Sequence, residues 1–506
     1  MRIIVFLASK VYIRHYLTTS AFGRIEGHQL NFLLPEELVS TAIETKKIDK
    51  TKILSLRNPG GRWINKRAFN LNNRLEMFEK STYNPTFLFR LRRELMPNLL
   101  AVFTVRRWYE IKGNHFLVRY FARSFPSTPL VRQLLIFTKF LQHFLLDFLG
   151  IIEFCSIVLI VRLGLKPLIS GTLVKSIALD PDLLNALMIA KADLIVIPSS
   201  VVDRHSYELM RVANFVGSVK ILLLVDNWDN LSSKSALVLK PDFMGVWGQQ
   251  SVEFAENIHG MEPSRVTLLG TPRFDVYRNY RRPSTHTDIT DRKLVSFPYI
   301  LFAGCSVNYN EVDALRALSA AVSKLSSFLP KGTKILYRPH PWGSRVRHLQ
   351  LLDENPLENV FVDPQITVGR GLKGADFQPE LDYYPRLLEE AILVVCPLST
   401  MILEATIMRK RVIALAHDDQ VSVASPNRLL AFYRHFEGID KLENLQLVHD
   451  LTQLDQSIRR AVEGNELKAI PAGIDLFVET RGPQYAERLA GLIDSIGYRI
   501  FNEQSV

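Results

Sequence analysis

Short runs of apolar residues, separated by amphipathic or polar stretches, recur along the first half of the chain. Three early runs are Ile3–Leu7, Leu30–Leu34 and Ile53–Leu56. Four more follow further on: Leu194–Ile197, Ile221–Val225, Met244–Trp247 and Val266–Leu269. Runs of this length that alternate with helical or polar segments are typical of strands in successive βαβ units. The pattern therefore predicts a parallel sheet covered by helices.

The second half repeats the pattern. The apolar runs there are Ile300–Ala303, Lys334–Tyr337, Val360–Val362, Leu393–Cys396 and Val412–Leu415. From about Glu311, apolar residues recur every three or four positions, which predicts a helix between the first two of these runs. Near the end, Tyr485, Leu489, Leu492 and Ile496 indicate one more amphipathic helix. The second half therefore predicts a second parallel sheet of its own.

A polar, charged stretch at 278–296 separates the two series and is predicted to be a linker. The expected fold is α/β and GT-B-like, with two doubly wound Rossmann-like domains facing a cleft. The predicted parts are an acceptor domain at 1–277, a donor domain at 297–480 and a C-terminal helix at 481–506. Open α/β sheets bind ligands at the carboxyl ends of their strands, so both sheets are expected to contribute to the cleft.

Composition supports a folded chain. Of the 506 residues, 47% are hydrophobic and 22% are charged, which is ordinary for globular domains. The three cysteines show no paired or metal-binding spacing, so neither a disulfide framework nor a structural zinc is expected, and a reducing, cytoplasmic compartment fits.

A basic helical insertion is predicted at about 84–166, within the first domain. It contains twelve Lys or Arg against four Asp or Glu, in a chain of net charge +11, and it is rich in aromatic residues. Such helices fit an anionic membrane surface, here the inner face. An ordinary packed insertion with a solvated basic face would look the same. The apolar run at 148–161 is interrupted by Glu153 and is too short to span a bilayer. Nucleic acid is not expected as a partner, because no recognition module is evident.

Three motifs in the second half stand at strand ends and could bind a nucleotide's phosphates. Gly304 and Ser306 follow the first strand in a small-residue turn, which would let backbone N–H groups approach an anion. A plain tight turn would use the same residues. His340 lies between two prolines beside Arg338, which would hold its ring rigidly at the next strand end. There a protonated ring could act in catalysis, by neutralising the charge that develops on a leaving nucleotide or by passing it a proton. A hydrogen bond within a turn is the alternative for this histidine.

The third motif follows the strand that ends at Pro397. Ser399 is predicted to cap the next helix, and its hydroxyl, that of Thr400 and the free N–H groups would form an anion pocket. Glu404 lies one helical turn after Thr400, on the same face, where it could reach a ribose hydroxyl. A simple cap with a solvated glutamate is the alternative.

The first domain offers candidates for acceptor chemistry. After the strand that ends at Val225, Asp226 and Asp229 are candidate general bases, and Trp228 could stack on a sugar ring, although an Asx-turn and helix cap would use the same residues. Lys10 and His15 follow the first strand and are candidates for acceptor binding, with His15 an alternative base.

Arg273 ends the first domain, in Gly270-Thr271-Pro272-Arg273-Phe274-Asp275. Its guanidinium could clamp a phosphate, or it could form a salt bridge with Asp275 that braces the hinge.

Several of these motifs resemble known families. Arg338-Pro339-His340-Pro341, followed by Pro397-Leu398-Ser399-Thr400 and the helix carrying Glu404, resembles the donor half of GT-B enzymes. The most similar groups are the CDP-glycerol glycerophosphotransferases and the sialyl- and Kdo-transferases with a His-Pro motif, and more loosely the UDP-GlcNAc 2-epimerases. The Trp-Asp-Asn-Leu segment at 228–231 and the Gly-x-Pro-Arg-Phe-Asp run at 270–275 resemble surface-carbohydrate biosynthesis proteins. The resemblance covers about 194–415.

The resemblance implies a role for each motif. It places the donor phosphate between His340 and the pair Ser399 and Thr400, and it gives Glu404 the ribose, by similarity to the epimerases. The epimerases have Ser-Gly-Gly where this chain has Leu398-Ser399-Thr400, which speaks against an epimerase.

The function implied is a metal-independent transferase without a cofactor. It would move a sugar or polyol-phosphate from a nucleotide-activated donor to a saccharide or lipid-linked acceptor. No DxD-like metal-ligand pair stands at a strand end. The alternatives are a UDP-sugar 2-epimerase and a non-catalytic, membrane-associated assembly partner.

Overall fold

The computed structural model describes residues 1–46, 49–56, 63–96, 129–176, 179–201, 204–280, 294–306, 309–340, 345–368, 381–419, 422 and 425–503. Most of the predicted linker, at 281–293, and part of the insertion, at 97–128, lie outside the described residues. For 129–144 only the backbone is described.

A seven-stranded parallel sheet forms the first domain. Its strands are β1 (Arg2–Phe6), β2 (Gln29–Pro35), β3 (Ile53–Leu56), β4 (Leu194–Ser199), β5 (Lys220–Val225), β6 (Phe243–Val246) and β7 (Val266–Leu268), in the order β3-β2-β1-β4-β5-β6-β7. The order reverses direction between β1 and β4. Loops that follow these two strands therefore flank the crevice in which such sheets bind ligands.

Helices cover both faces of this sheet. They are α1 (Lys10–Tyr12), α2 (Glu36–Lys46), α3 (Trp63–Glu79), α4 (Pro85–Leu95), α5 (Pro129–Arg162), α6 (Lys166–Ser176), α7 (Pro181–Ala190), α8 (Arg204–Val216), α9 (Gln249–Asn257) and α10 (Pro272–Asn279). Two π-helical turns, at Ile13–Leu17 and Asn230–Lys234, follow β1 and β5.

A six-stranded parallel sheet forms the second domain. Its strands are β8 (Tyr299–Ala303), β9 (Lys334–Arg338), β10 (Val360–Val362), β11 (Ala391–Pro397), β12 (Val412–Leu415) and β13 (Leu445–Val448), in the order β10-β9-β8-β11-β12-β13. The helices are α11 (Glu311–Lys324), α12 (Arg345–Glu354), α13 (Pro364–Val368), α14 (Tyr383–Glu389), α15 (Met401–Ile407), α16 (Pro426–Phe432) and α17 (Leu454–Glu463). The direction reverses between β8 and β11, the counterpart of the β1–β4 position.

The last helix, α18 (Tyr485–Glu503), returns to the first domain. Leu489, Ile493 and Ile496 are buried in one apolar cluster with Ile3 and Val5 of β1. The chain crosses back where the N–H of Glu479 donates to the carbonyl of Trp247 at 2.7 Å. The segment at 481–503 therefore completes the core of the first domain although it follows the second in sequence.

The predicted α/β, GT-B-like fold is confirmed: two parallel, doubly wound sheets, each covered by helices, with the helical insertion in the first domain. β13 was not predicted, because Leu445–Val448 is too short and too exposed to show as an apolar run.

The first helix of the insertion joins the two domains. Asn84 Nδ2 donates to the carbonyl of Ser232 at 2.7 Å, in the first domain. Thr86 Oγ1 donates to the carbonyl of Phe432 at 2.7 Å and accepts from the N–H of Arg434 at 3.0 Å, both in the second domain. Phe89 stacks on Phe432 with ring centroids 4.9 Å apart. α4 is therefore an interdomain contact.

Over the described part of the chain, no single helix is both long and apolar enough to cross a bilayer. The two helical segments Leu145–Arg162 and Lys166–Lys175, bent by 110° where they meet, are long and apolar enough only when taken together.

Candidate active site

The loop after β1 brings a histidine to the crevice of the first sheet. Ser9 caps α1 through its hydroxyl, which accepts the N–H of Tyr12 at 3.4 Å, and the π-helical turn continues from there. This turn places His15 Nδ1 2.9 Å from Oδ1 of Asp226, at the end of β5. Both side chains are nearly buried. Two sequence-predicted candidates, 211 positions apart, thus form one pair.

The electrostatic environment keeps His15 neutral. Burial lowers the pKa of His15, and the positive charges of Arg273 and Arg14 lower it further, against the opposing carboxylate of Asp226. In the neutral ring, the nitrogen that faces Asp226 carries the hydrogen and donates a hydrogen bond to the carboxylate. Nε2 then keeps a lone pair. The pair therefore has the arrangement of an oriented general base.

Two arginines lie beside this pair. Arg273 places its guanidinium 4.8 Å from the ring centroid of Trp247 and donates from Nη2 to Oδ1 of Asn227 at 3.2 Å. The guanidinium of Arg14 lies 5.9 Å from the ring centroid of Tyr384, a residue of the second domain. Burial, and the nearby charge of Arg273, lower the pKa of Arg14. Two partly buried cations this close together favour an anion between the domains.

Arg273 does not brace the hinge through Asp275. Asp275 instead pairs with Arg278 at 3.5 Å and accepts the N–H of Tyr485 at 2.8 Å, at the start of α18. Of the two roles predicted for Arg273, the salt bridge with Asp275 is wrong.

Glu404 completes the cluster from the donor side. Its carboxylate accepts a hydrogen bond from the hydroxyl of Tyr277, on α10 of the first domain. Burial raises the pKa of Glu404, and the charges of Arg273, Arg14 and Arg338 oppose the rise. A carboxylate, two arginines and the His15–Asp226 pair, drawn from both domains, therefore meet at one interdomain position.

The Ser399–Thr400 turn follows β11, at the crevice of the second sheet. Thr400 rather than Ser399 is the N-cap of α15, and neither hydroxyl caps it, so the predicted capping role of Ser399 is wrong. The Ser399 hydroxyl is near the thiol of Cys396, whose pKa burial raises to about 12. Both residues are partly exposed next to the crevice, but the Ser399 Oγ atom itself is buried.

The Gly304 turn on the other side of the crevice is partly filled by the protein itself. Glu311 Oε1 accepts the N–H of Cys305 at 2.9 Å, and Oε2 accepts the Tyr337 hydroxyl at 2.6 Å. A Cβ on Gly304 would lie 2.6 Å from Oε2 of Glu311, so this position needs glycine because of the carboxylate. The predicted phosphate cradle at Gly304 is therefore occupied by Glu311, while Ser306 is exposed.

Arg338 and His340 have different environments. The Arg338 side chain is 3% exposed, forms an ion pair with the fully buried Asp363 and lies 4.9 Å from the Tyr384 ring centroid. The Arg338 guanidinium is therefore engaged inside the second domain, and the donor-binding role predicted for it stays a prediction. His340 is partly buried directly after β9, and its backbone N lies 3.0 Å from the position a Cβ on Gly304 would take. The strand order puts β8 between β9 and β11, so His340 and the Ser399–Thr400 turn lie on opposite sides of the β8 loop.

Trp228 and Asp229 are not arranged as predicted. Trp228 is 3% exposed and packs edge-on against His435, Phe436 and Phe477 of the second domain, so stacking of this indole on a sugar is ruled out by its burial. Burial alone would raise the pKa of Asp229, but Lys234, His435 and the Ser233 hydroxyl outweigh it and hold the pKa below the ordinary value. Asp229 is therefore a poor base, which leaves the base role to His15 and Asp226.

Sequence reasoning missed four participants: Arg14, Asn227, Tyr277 and Glu311. Arg14 precedes His15 and Asn227 follows Asp226, so proximity to a candidate was an available signal. Tyr277 and Glu311 reach their partners only through the packing of helices, which single-sequence patterns do not show. Lys10, by contrast, begins α1 with an exposed side chain. Among the described residues, no group of three or more His, Cys, Asp or Glu side chains is placed to hold a metal ion.

No protein-family model matches the chain, and no curated protein matches it in sequence. Solved structures do match in fold. The UDP-GlcNAc 2-epimerase of Methanocaldococcus jannaschii gives a TM-score of 0.50 at 10% identity, over 98% of this chain and 100% of that one. Another UDP-N-acetylglucosamine 2-epimerase gives 0.51 at 9% identity, over 98% and 96%. The calicheamicin glycosyltransferase CalG4 gives only 0.43 at 9% identity, over 98% of each chain. At these identities the two epimerase matches establish a shared fold alone.

Proposed function

We propose that the chain is a metal-independent transferase of the GT-B type. It moves a sugar or polyol-phosphate group from a nucleotide-activated donor to a saccharide or lipid-linked acceptor in surface-carbohydrate biosynthesis. The observation that carries the proposal is the interdomain cluster, where the His15–Asp226 pair at 2.9 Å lies next to Arg14, Arg273 and Glu404. Displacement of a nucleotide requires a base that activates the acceptor and an anion site that holds the departing phosphate.

The first half of the reaction is activation of the acceptor. His15 Nε2 takes the proton of an acceptor hydroxyl while Asp226 stabilises the imidazolium that forms. The acceptor oxygen then attacks the transferred group, which is a sugar's anomeric carbon or the phosphorus of a polyol-phosphate.

The second half is departure of the nucleotide. The bond between the transferred group and the nucleotide's phosphate oxygen breaks, and the electron pair leaves with the phosphate. Arg273 and Arg14 hold the charge that develops there, with His340, Ser399 and Thr400 on the donor side. Glu404 binds the ribose, in place of or together with its present partner Tyr277.

The direct test replaces the base. His15→Asn, assayed with the donor and acceptor that the wild type uses, is expected to lower kcat roughly 10²–10⁴-fold, because general-base catalysis is worth about that much. The matched control is Asp229→Asn, on the neighbouring loop, with an expected loss of less than about tenfold. If His15→Asn turns over at the wild-type rate, the base assignment is overturned.

A UDP-sugar 2-epimerase is the second candidate, because two such enzymes share the fold over most of this chain. Incubation with UDP-sugars in the absence of acceptor separates the two: a transferase leaves the sugar's configuration unchanged, whereas an epimerase converts it. If calorimetry detects no binding of any nucleotide, the chain is a non-catalytic assembly partner instead.

A further inference from the structure

An exposed apolar surface runs along the second half of α5 and around the turn into α6. It consists of Leu149, Ile152, Leu159, Leu163, Leu165 and Leu168, which we call the α5–α6 surface. These side chains are between 42% and 69% exposed. From residue 149 to residue 163 the chain rises about 21 Å along the helix axis, at 1.5 Å per residue. The surface is therefore much longer than the area that one exposed leucine side chain covers. Exposed apolar surface of this extent marks an interaction site.

The opposite face of α5 is already used. Phe154 packs edge-on against Phe78 of α3, with ring centroids 6.0 Å apart, and Ile157 is buried with Leu75 and Leu95. Because these contacts fix the rotation of the helix, the α5–α6 surface cannot turn inward.

Polar groups on this surface are satisfied within the chain. The Ser156 hydroxyl donates to the carbonyl of Ile152, and the Thr172 hydroxyl to that of Leu168, both at 2.8 Å. At the turn, Gly164 has φ +69° and donates to the carbonyl of Val161 at 3.1 Å, while Leu165 donates to that of Ile160 at 3.0 Å. These groups can therefore leave water without losing a hydrogen bond, which is the condition for contact with hydrocarbon.

Among the described side chains of α5 and α6, the exposed charges are positive, and the exposed acid Glu79 beside the turn is paired with Lys166. Arg162 and Lys175 are exposed, at the end of α5 and near the end of α6. Glu153, the nearby acid on α5, is paired with Arg74 of α3. The chain as a whole carries +11. An anionic surface complements this arrangement better than a neutral one.

We propose that the α5–α6 surface docks on a bilayer that contains anionic phospholipids, with the leucines in the interfacial region and the cations at the headgroups. Most of this surface lies within the basic insertion predicted from the sequence at about 84–166, and the proposal assigns the contact to its second half. In α4, at the start of the insertion, Phe87 is fully buried and Arg90 donates to the carbonyls of Ser233 and Lys234, so these two residues are committed to packing. This proposal does not depend on the proposed reaction.

The chain carries a native reporter for the test. Cys155 is exposed on α5 between Ile152 and Leu159, whereas Cys305 and Cys396 are buried. An environment-sensitive fluorophore on Cys155 of the full-length protein is expected to shift to the blue on addition of vesicles of phosphatidylcholine and phosphatidylglycerol. Pure phosphatidylcholine is expected to give a weaker shift, and added salt to weaken the binding to anionic vesicles.

Flotation of the unlabelled protein with the same vesicles tests the residues. The combined variant Leu149→Gln, Leu159→Gln, Leu163→Gln and Leu168→Gln is expected to bind vesicles at least about tenfold more weakly. The matched control is Tyr498→Gln with Phe501→Gln, two exposed aromatics on α18, which packs on the opposite face of the first sheet; it is expected to bind like the wild type. Circular dichroism and thermal unfolding check that both variants fold.

Three results overturn the proposal. The first is a quadruple variant that binds vesicles as well as the wild type, and the second is a wild type that does not bind them. The third is self-association of the wild type that the quadruple variant loses, with no vesicle binding by either protein. The third result would identify the surface as an interface between copies of the chain.

Discussion

At the residue scale, the main change from sequence to structure concerns the candidates for the base. The sequence indicates two aspartates at the end of β5, and the structure gives them opposite situations: Asp226 orients a buried imidazole, and Asp229 is held as a carboxylate by Lys234. The sequence alone could place both aspartates at the cleft. It could not show that Asp226 contacts His15, because that contact joins two loops more than two hundred residues apart.

The pH dependence of the rate tests this assignment. A base must be neutral to act, so kcat/KM falls as the pH drops through the pKa of His15. Because burial lowers that pKa, the acid limb of the profile is expected below the ordinary value of about 6.5. Asp226→Asn removes the charge that opposes the lowering, so the limb is expected to move further to acid while the plateau falls. An acid limb centred above about pH 7 would contradict the assignment.

Arg273 is expected to bind the donor phosphate through two parallel hydrogen bonds from its planar guanidinium group. Arg273→Lys keeps the charge but loses paired hydrogen bonds, so calorimetry is expected to give a Kd for the nucleotide about tenfold higher. The control on the same helix is Arg278→Lys, whose parent arginine pairs with Asp275 and the carbonyl of Gly482. Its Kd is expected to change less than about twofold. Equal effects in the two variants would argue against a phosphate contact at Arg273.

At the element scale, the hydrophobic pattern predicts where the strands lie but does not predict which elements the helices pack against. Apolar runs predict strands because both faces of a parallel sheet are buried, and β4, with all six residues buried, shows this. An amphipathic pattern shows that a helix has a buried face without showing what that face contacts. This is why the sequence did not show that α4, at the start of the predicted insertion, joins the domains, or that α18 returns to the first domain.

The hydroxyl of Thr86 tests the role of α4. Thr86→Val keeps the shape but leaves the Phe432 carbonyl and the Arg434 N–H without this partner, so urea titration is expected to show a loss of roughly 1–3 kcal/mol in the free energy of unfolding. The control is Thr82→Val, where the exposed hydroxyl contacts only the carbonyl of Glu79 at 3.4 Å, with an expected change within about 0.5 kcal/mol. Equal losses would show that the α4 contacts do not stabilise the domain pairing.

At the scale of the whole molecule, the two domains share one apolar core. Trp228, Trp247 and Phe274 of the first domain belong to the same buried cluster as Leu301 and Leu336 of the second. One buried histidine, His435, belongs to this packing, and a second, His259, lies inside the first domain. His435 lies against Trp228 and Phe436, with a pKa lowered by burial to about 4, and burial lowers the pKa of His259 to about 3. The interdomain packing is thus coupled to proton uptake on unfolding.

Stability is therefore expected to fall as the pH drops from about 6.5 to 4. Across this window the unfolded chain binds protons at these histidines and the folded chain does not, so protonation favours unfolding. Urea midpoints measured from pH 7 to pH 4 should decline, and His435→Phe should decline less steeply because one proton-binding site is removed. The exposed His449→Phe is the control and should keep the wild-type slope. A His435→Phe slope equal to that of the wild type would contradict the linkage.

The central claim is that a donor's phosphate binds between the domains, beside the His15–Asp226 pair. A crystal structure of the protein soaked with UDP, CDP or CMP tests this most directly. The account predicts a phosphate within hydrogen-bond distance of Arg273, between the loops that follow β8 and β11, with the ribose at Glu404. A nucleotide bound elsewhere on the molecule, or one that makes no contact with Arg273 and Glu404, would contradict it.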